Sequence, residues 1–490
     1  MSSDSKSDMV DPSKRSGRNS SNPSGKDGGE RRDRDREGGG NREGGGGKGR
    51  RRRGGPVRGR VRGKGRRRGG DGRGGDDRGN DGRGNDGRGN DGRGNDGNHR
   101  RKENREPDES EGRRASVLTG SPVKVDGMLE LAPKGFGFLR RPEKDFEQSR
   151  EDVFLPPELV HKEGLRVGMW VHGLAQEGNR GPQLTEVTSI NGMKPKQARS
   201  LAFFEELKAC NPNKRIPFET SPERFTTRVI DIFSPIGRGQ RGLIVSPPRS
   251  GKTTILLHLA QAVEERHSEN MHLMILLVDE RPEEVTEFKR QLPNAEIYAS
   301  SNDMPSKSHC RLAELCIERA KRLVEAGQDV FLVLDSITRL ARAYNNSDRG
   351  GKNKGYQSGG IVAGALEMPR RLFAAARNTQ EAGSLTIIGT ALTQTNAKAD
   401  EAIFQEFKGT GNMELVLDRK IAESFVYPAV DIFKSGTRRE ELLLPEHMLE
   451  KIYLIRRGLS GHRPLEAMER LLFFLKKFPN NAQMLLEIKG

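Results

Sequence analysis

Between Gly242 and Thr254 the chain reads Gly-Leu-Ile-Val-Ser-Pro-Pro-Arg-Ser-Gly-Lys-Thr-Thr, and few segments of this length restrict a fold more. The apolar run Leu243–Val245 stops at two prolines, and Arg249-Ser250-Gly251 then leads into Lys252-Thr253-Thr254 and an apolar helical pattern, Ile255 to Ala260. Strand, small-residue loop and helix in that order turn free backbone N–H groups and the positive end of a helix dipole toward one point, where a phosphate chain fits. Lys252 would reach the outer phosphates and the Thr253 hydroxyl would sit on Mg²⁺. The general pattern asks for glycine where this chain has Ser246. An ordinary turn ahead of a helix is the plainer alternative, and the strands downstream argue against it.

Those strands are Met274–Val278, ending in Asp279-Glu280-Arg281, Val330–Leu334, ending in Asp335-Ser336, and Leu385–Leu392. Leu312, Leu315, Cys316, Ala320 and Leu323 give helical periodicity between the first two. Apolar strands alternating with helices predict an α/β domain, a parallel sheet wrapped by helices, with ligands at the carboxyl ends of the strands. Asp335 is then placed for the metal side of a bound nucleotide. Glu280, rather than Asp279, is placed to polarise the attacking water. Either acid would instead cap the next helix if the loop held no nucleotide.

Upstream the pattern changes. Val125–Leu131, Gly135–Arg140, Asp152–Leu155, Met169–Leu174 and Leu184–Ile190 read as five short strands, which predicts a small oligonucleotide-binding (OB) barrel over residues 121–192. Phe136 and Phe138 in Lys134-Gly-Phe-Gly-Phe-Leu-Arg140 point to one face of a strand, with Gly137 keeping the backbone open between them. Exposed strand aromatics stack nucleic-acid bases, and Lys134, Arg140 and Arg141 supply charge. Asp152 and Phe154 extend the candidate face. Alternating Phe are otherwise core residues; the Gly-Phe-Gly-Phe form with flanking cations favours single-stranded RNA or DNA, and the stretch resembles a cold-shock-type domain. Residues 193–222 read as a connector, with a short helix expected around Leu201, Phe203, Phe204 and Leu207 before Pro212, Pro217 and Pro222. Residues 223–490 form the nucleotide-binding domain.

Residues 1–120 differ from all of this. They hold 33 Lys+Arg against 21 Asp+Glu, 32 of the 60 glycines and no aromatic residue. Such a segment cannot offset its ordering entropy by burying apolar surface, so a long disordered tail is expected. The Asp-Gly-Arg-Gly-Asn repeat from Asp81 has nothing to stack and is no solenoid. A flexible arm attracting RNA through counterion release is one reading of the tail, and a solubilising segment without a defined site is the other. Cys210, Cys310 and Cys316 have no metal-type spacing and suggest plain thiols. No run of 18 apolar residues occurs and the polar N-terminus is no signal peptide, so the expectation is a soluble cytoplasmic chain without a membrane partner.

Four segments together carry a family resemblance: Ser246-Pro-Pro-Arg-Ser-Gly-Lys-Thr253, Asp279-Glu-Arg-Pro-Glu-Glu-Val-Thr286, Leu334-Asp-Ser-Ile-Thr-Arg-Leu-Ala-Arg-Ala-Tyr-Asn345 and Glu406-Phe-Lys-Gly-Thr-Gly-Asn-Met-Glu414. Over about residues 123–480 the chain resembles the bacterial transcription termination factor Rho family, whose phosphate loops share the small non-glycine residue at Ser246. The resemblance implies a RecA-like P-loop ATPase domain behind the barrel, ATP and Mg²⁺, a homo-hexameric ring, and an RNA-stimulated helicase that captures nascent single-stranded RNA and dislodges the RNA polymerase elongation complex. It also implies roles for residues that patterns alone leave silent. Arg281, Arg339 and the turn Gly237-Arg238-Gly239-Gln240-Arg241-Gly242 would line the nucleotide pocket, Tyr427 would stack on adenine, and Arg438 would be an arginine finger reaching a neighbouring subunit. Ser358 and Gly359, in one pore loop, and Lys398, in a second, would grip RNA. Two departures stand out. The helical subdomain expected ahead of the barrel has no counterpart between Arg101 and Val123, and one aromatic of the RNA face falls at Gly181. An RNA-binding scaffold with a vestigial ATP site is an alternative of another class. A rotary-type ATPase subunit is a further one, against which the barrel argues.

Overall fold

A computed structural model describes residues 118–179, 181–348, 355 and 358–488. The tail up to residue 117, with the basic runs Arg50–Arg53 and Arg66–Arg68 and the pentapeptide repeat, lies outside them. The five expected strands are all present: β1 (Thr119–Leu131), β2 (Gly137–Arg140), β3 (Val153–Leu155), β4 (Trp170–Gly178) and β5 (Gly181–Ile190). They close into a barrel in the order β1-β2-β3-β5-β4. Alternate residues, Leu129, Leu139, Val153, Leu155, Val171, Leu184 and Ile190 among them, fill its core. A helix absent from the sequence reading, α1 (Pro157–Glu163), adds Leu159 and Val160 to that core. Gly137 has a different job from the one expected. A Cβ there would come 2.6 Å from the Leu129 side chain, so the glycine permits tight barrel packing rather than an open face.

The connector begins with α2 (Pro195–Arg199), and the chain then turns irregularly; no helix forms around Leu201–Leu207. The apolar spacing there has another cause: Phe204 and Leu207 are buried anchors, and the Phe204 N–H donates to the Glu325 carboxylate at 2.8 Å instead of to a helical carbonyl. Two short strands follow, β6 (Ala209–Cys210) and β7 (Arg215–Ile216), each paired with a strand of the next domain.

That domain opens with α3 (Phe225–Phe233), β8 (Ile236–Gly237), β9 (Arg241–Ser246) and α4 (Lys252–His267). It continues through β10 (His272–Glu280), α5 (Pro282–Gln291), β11 (Glu296–Ser301), α6 (Ser306–Glu325), β12 (Val330–Asp335) and α7 (Ile337–Asp348). Then come α8 (Glu367–Ala374), β13 (Arg377–Thr379), β14 (Ser384–Leu392), α9 (Lys398–Lys408), β15 (Met413–Val416), α10 (Arg419–Glu423) and β16 (Gly436–Thr437). The helices α11 (Glu446–Leu459), α12 (Pro464–Leu475) and α13 (Asn481–Glu487) complete it. The main sheet runs β11-β10-β12-β14-β9-β15-β16 and is parallel as far as β15. Along β10, Leu273, Ile275 and Leu277 enter one core while Met274, Leu276 and Val278 enter the core on the opposite face. A strand covered on both faces needs such an unbroken apolar run, and the sequence shows it. Among the described residues no helix is long and apolar enough to cross a membrane.

The barrel is fastened to the main sheet. Met128 and Phe146 belong to the same core as Met274, Leu276 and Tyr298, and Phe146 stacks on Tyr298 with ring centroids 4.4 Å apart. Arg166 forks onto the buried Glu325 at 3.0 and 2.5 Å. At Gly168 (φ +84°) a Cβ would lie 2.5 Å from the Arg319 backbone nitrogen, so the approach is close enough to require glycine. Burial of roughly 1.5–3 kcal/mol per large apolar side chain holds this seam together.

Candidate active site and nucleic-acid interface

The carboxyl ends of β9, β10 and β12 bring the expected acids and lysine together. Beyond β9, the buried Ser246 hydroxyl lies 2.9 Å from Ser250 Oγ, which donates to the Pro247 carbonyl at 2.8 Å. The serine at the glycine position thus braces the loop. Arg249 (φ +62°) and Gly251 (φ +89°) bend it back to α4, and Arg249 and Thr254 stay exposed. Lys252 Nζ stands 2.7 Å from Asp335 and 3.7 Å from Glu280. The register of β10 shifts between Val278 and Glu280, with Asp279 in the left-handed region at φ +55°. That bulge turns Glu280 into the site, fully buried, and leaves Asp279 half-exposed. Glu280 is therefore the acid that faces the lysine. Arg339 Nη1 lies 3.0 Å from Glu280 and also donates to the Asp279 carbonyl.

Burial pushes the Glu280 carboxyl up to about 7; Lys252 and Arg339 oppose the shift, and the Asp335 and Glu284 charges add to it. Glu284 was not singled out from sequence. It sits in the first turn of α5 with Oε2 3.4 Å from Thr253 Oγ1, and only the turn out of β10 brings it there. Both Glu280 oxygens and Asp335 Oδ2 are buried without an aligned hydrogen bond. Such orphaned acceptors, facing a lysine and a threonine hydroxyl, fit a triphosphate with its Mg²⁺ and attacking water. Tyr427 is 51% exposed, and a Cβ on Gly251 would meet its ring at 3.7 Å, so the ring borders the loop with one face open. Arg281, at the start of α5, is exposed beside the site.

Gly237 to Gly242 lie elsewhere, and the expectation that they line this pocket is corrected. They precede and begin β9, whereas the phosphate loop follows its end; six extended residues separate the two by roughly 20 Å. Gly239 (φ +86°) packs so closely that a Cβ would meet the Asn378 nitrogen at 2.1 Å, and Arg238 pairs with Asp329. Gln240 Nε2 donates to Asn412 Oδ1 at 2.7 Å, the Arg241 N–H donates to the same oxygen at 2.8 Å, and the Arg438 N–H donates to the Asn412 carbonyl at 2.9 Å. The turn braces the exposed Arg438, which stands at the opposite end of the sheet from Lys252 of its own chain.

On the barrel, Phe136, Phe138 and Phe154 form a triangle with all three centroid separations at 5.8 Å. They are half-buried, whereas their strand neighbours Gly137, Leu139, Val153 and Leu155 face the core. Lys134 is exposed beside them. Arg140 and Asp152 are not free surface charges: both are about 5% exposed and pair with each other, and Arg140 also pairs with Glu130 and lies 5.0 Å from the Phe138 ring centroid. Gly181 opens β5 with φ +110°, and its neighbour Gln183 pairs in register with Phe154.

The two segments expected to form RNA-gripping pore loops touch. Ser358–Gly360 make a single tight turn, and a Cβ on Gly359 would lie 3.0 Å from the Lys398 carbonyl oxygen. Lys398 is the first residue of α9 rather than part of a loop, because Asp400 in that first turn is buried against Arg342 of α7 and Thr395. Its side chain remains exposed.

Fold and site together define a RecA-like P-loop ATPase carrying an OB-type barrel. Residues 226–437 match the nucleotide-binding domain of the ATP synthase alpha/beta family, and residues 125–196 match the Rho termination factor RNA-binding domain. The chain is 45% identical to transcription termination factor Rho of Aquifex aeolicus over 370 residues, 74% of this chain and 84% of that one. It is 46% identical to Rho of Pseudomonas aeruginosa (76% and 89% covered) and 47% identical to Rho of Salmonella typhimurium (72% and 85% covered). The chain belongs to the transcription termination factor Rho family.

Proposed function

We propose that the chain is an RNA-dependent ATPase of transcription termination, working as a ring of six copies that captures nascent RNA on the barrels, draws it past Lys398 and displaces RNA polymerase. The observation that carries this is the joining of two sites in one body: the Phe136–Phe138–Phe154 face is fixed through a shared core to the sheet that ends in Lys252, Glu280 and Asp335. In hydrolysis, Glu280 takes a proton from the attacking water while the bond from the γ-phosphorus to the β–γ bridging oxygen breaks. Lys252 balances charge on the outer phosphates, and Arg339 holds the Glu280 carboxylate toward them. Thr253 and Asp335, with Glu284 behind Thr253, would hold Mg²⁺, which supplies neutralising charge when bound. Tyr427 gives the adenine a flat wall, and Arg438 serves the site of the next copy.

Helix α7 supports a link between hydrolysis and RNA. Arg339 touches Glu280, and Arg342 on the following turn anchors Asp400 at the root of the Lys398 helix. The test is ATP hydrolysis with and without pyrimidine-rich single-stranded RNA, for the intact chain and for Lys252→Ala. RNA stimulation of the first and loss of turnover in the second are expected. A rate indifferent to RNA would sink the translocase reading.

A further inference from the structure

The polar residues of the RNA face are set partly by the ATPase domain. Arg140 cannot swing freely, since Nε is bonded to Glu130 and Nη1 to Asp152. Its guanidinium carbon lies 5.0 Å from the Phe138 ring centroid, so where Arg140 is held bears on the position of that ring. What fixes Glu130 lies outside the barrel. Arg311, in the second turn of α6, donates from Nε to Glu130 Oε1 and from Nη2 to Oε2, both at 2.6 Å, and also reaches the Phe146 carbonyl at 2.9 Å. The Glu130 and Arg311 side chains are only 17% and 24% exposed. Arg311 and Arg140 together hold the Glu130 carboxyl below its usual range against the opposing effect of burial. Asp152, Arg140, Glu130 and Arg311 thus form one charge-balanced row, three on the barrel and one on the ATPase domain.

We infer that Arg311 is a positioning residue for RNA binding: through Glu130 it sets the orientation of Arg140 on the aromatic face, so that face is complete only when the barrel is seated on α6. A bidentate fork suits this task because it fixes the carboxylate plane as well as its position. The same helix follows β11 after a short loop, in which the Asn302 N–H donates to the Glu280 carbonyl at 3.0 Å. The inference rests on the reading of the barrel face as the RNA site.

The experiment measures binding of a fluorescein-labelled oligocytidylate of about ten nucleotides, within the usual OB-fold site range, to the full chain without nucleotide. Phe138→Ala is the benchmark for the face. Arg311→Met and Glu130→Gln change the charge of the row in opposite senses, and Arg311→Lys keeps the charge without the fork. Positioning predicts that both neutral variants weaken binding by about three- to tenfold, as expected for losing a charge-assisted contact behind the site, with Arg311→Lys in between. Unchanged melting of each variant shows that the fold is intact; if Arg311→Met melts early, Glu130→Gln carries the test. Opposite shifts, weaker for Arg311→Met and tighter for Glu130→Gln, would mean that only net charge matters and would overturn the inference. So would unaltered affinity in both while Phe138→Ala binds poorly. If Phe138→Ala itself binds normally, the barrel-face reading fails and the inference falls with it.

Discussion

The two ends of strand β9 carry opposite deficiencies. At its carboxyl end, Glu280 and Asp335 are buried acids whose oxygens outnumber their partners, and Glu280 is held near neutrality by burial. At its amino end, Arg241, Arg377 and Arg438 crowd one another; burial lowers the pKa of Arg241, and the Arg377 and Arg438 charges lower it further. Neither end is electrostatically complete. A single chain cannot bring them together, because the strand itself keeps them apart, whereas neighbouring copies in a ring could place the cationic end of one against the acidic, phosphate-binding end of the next. In such a ring the Gly237–Gly242 turn would act on hydrolysis indirectly, as the support of Arg438 through Asn412.

The strongest way to break this comparison is Arg438→Ala. Loss of an arginine finger costs on the order of 10³-fold or more in kcat, and ATP affinity should change little because a finger acts on charge that develops in the transition state. Mixing it with Lys252→Ala is the sharper form: rings combining the two variants should regain some turnover where an intact pocket meets an intact finger. Failure of both measurements would show that the amino end takes no part.

Next in size is the pH response of the acidic end. With the Glu280 carboxyl near 7, kcat/KM should fall about tenfold per unit below that pH and level off above it, and Glu280→Gln should lower turnover by roughly 10²–10⁴-fold. Stability responds in the other direction. The folded chain holds a proton on Glu280 that the unfolded chain releases near 4.5, so this group's contribution is present at pH 4.5 and is lost as pH rises through about 7. Thermal melting of the nucleotide-free chain between pH 5.5 and 8, compared with Glu280→Gln, isolates it.

The smallest expected effect probes the support at the amino end. Gln240→Leu removes two donors to Asn412, at 2.7 and 3.1 Å, and should reduce kcat by about tenfold with KM for ATP unchanged, the signature of a lost transition-state interaction. A change in KM alone would return the turn to the nucleotide pocket.

Much of this was legible in the sequence. The apolar run of β10, the five barrel strands and the Lys252–Thr253 loop follow from local pattern and short-range geometry, and all reappear in the fold. The misplacements share one cause, that sequence distance is a poor guide to space. The helix expected around Leu201–Leu207 failed because Phe204 and Leu207 serve a distant core. The turn at Gly237–Gly242 was assigned to the pocket through the family resemblance, although an extended strand holds the two apart. Glu284 was overlooked because nothing in its own segment distinguishes it from a helix-start acid.

By itself the sequence determined which residues are able to cradle phosphate, stack bases and build a parallel sheet, since those capacities depend on residue type and on spacing over a few positions. Only the tertiary structure decided which charge meets which. It selected Glu280 over Asp279 through a one-residue bulge, buried Arg140 between two acids, and joined the barrel to α6 through Arg311 and Glu130. Charges interact through space and burial, and neither is written along the chain.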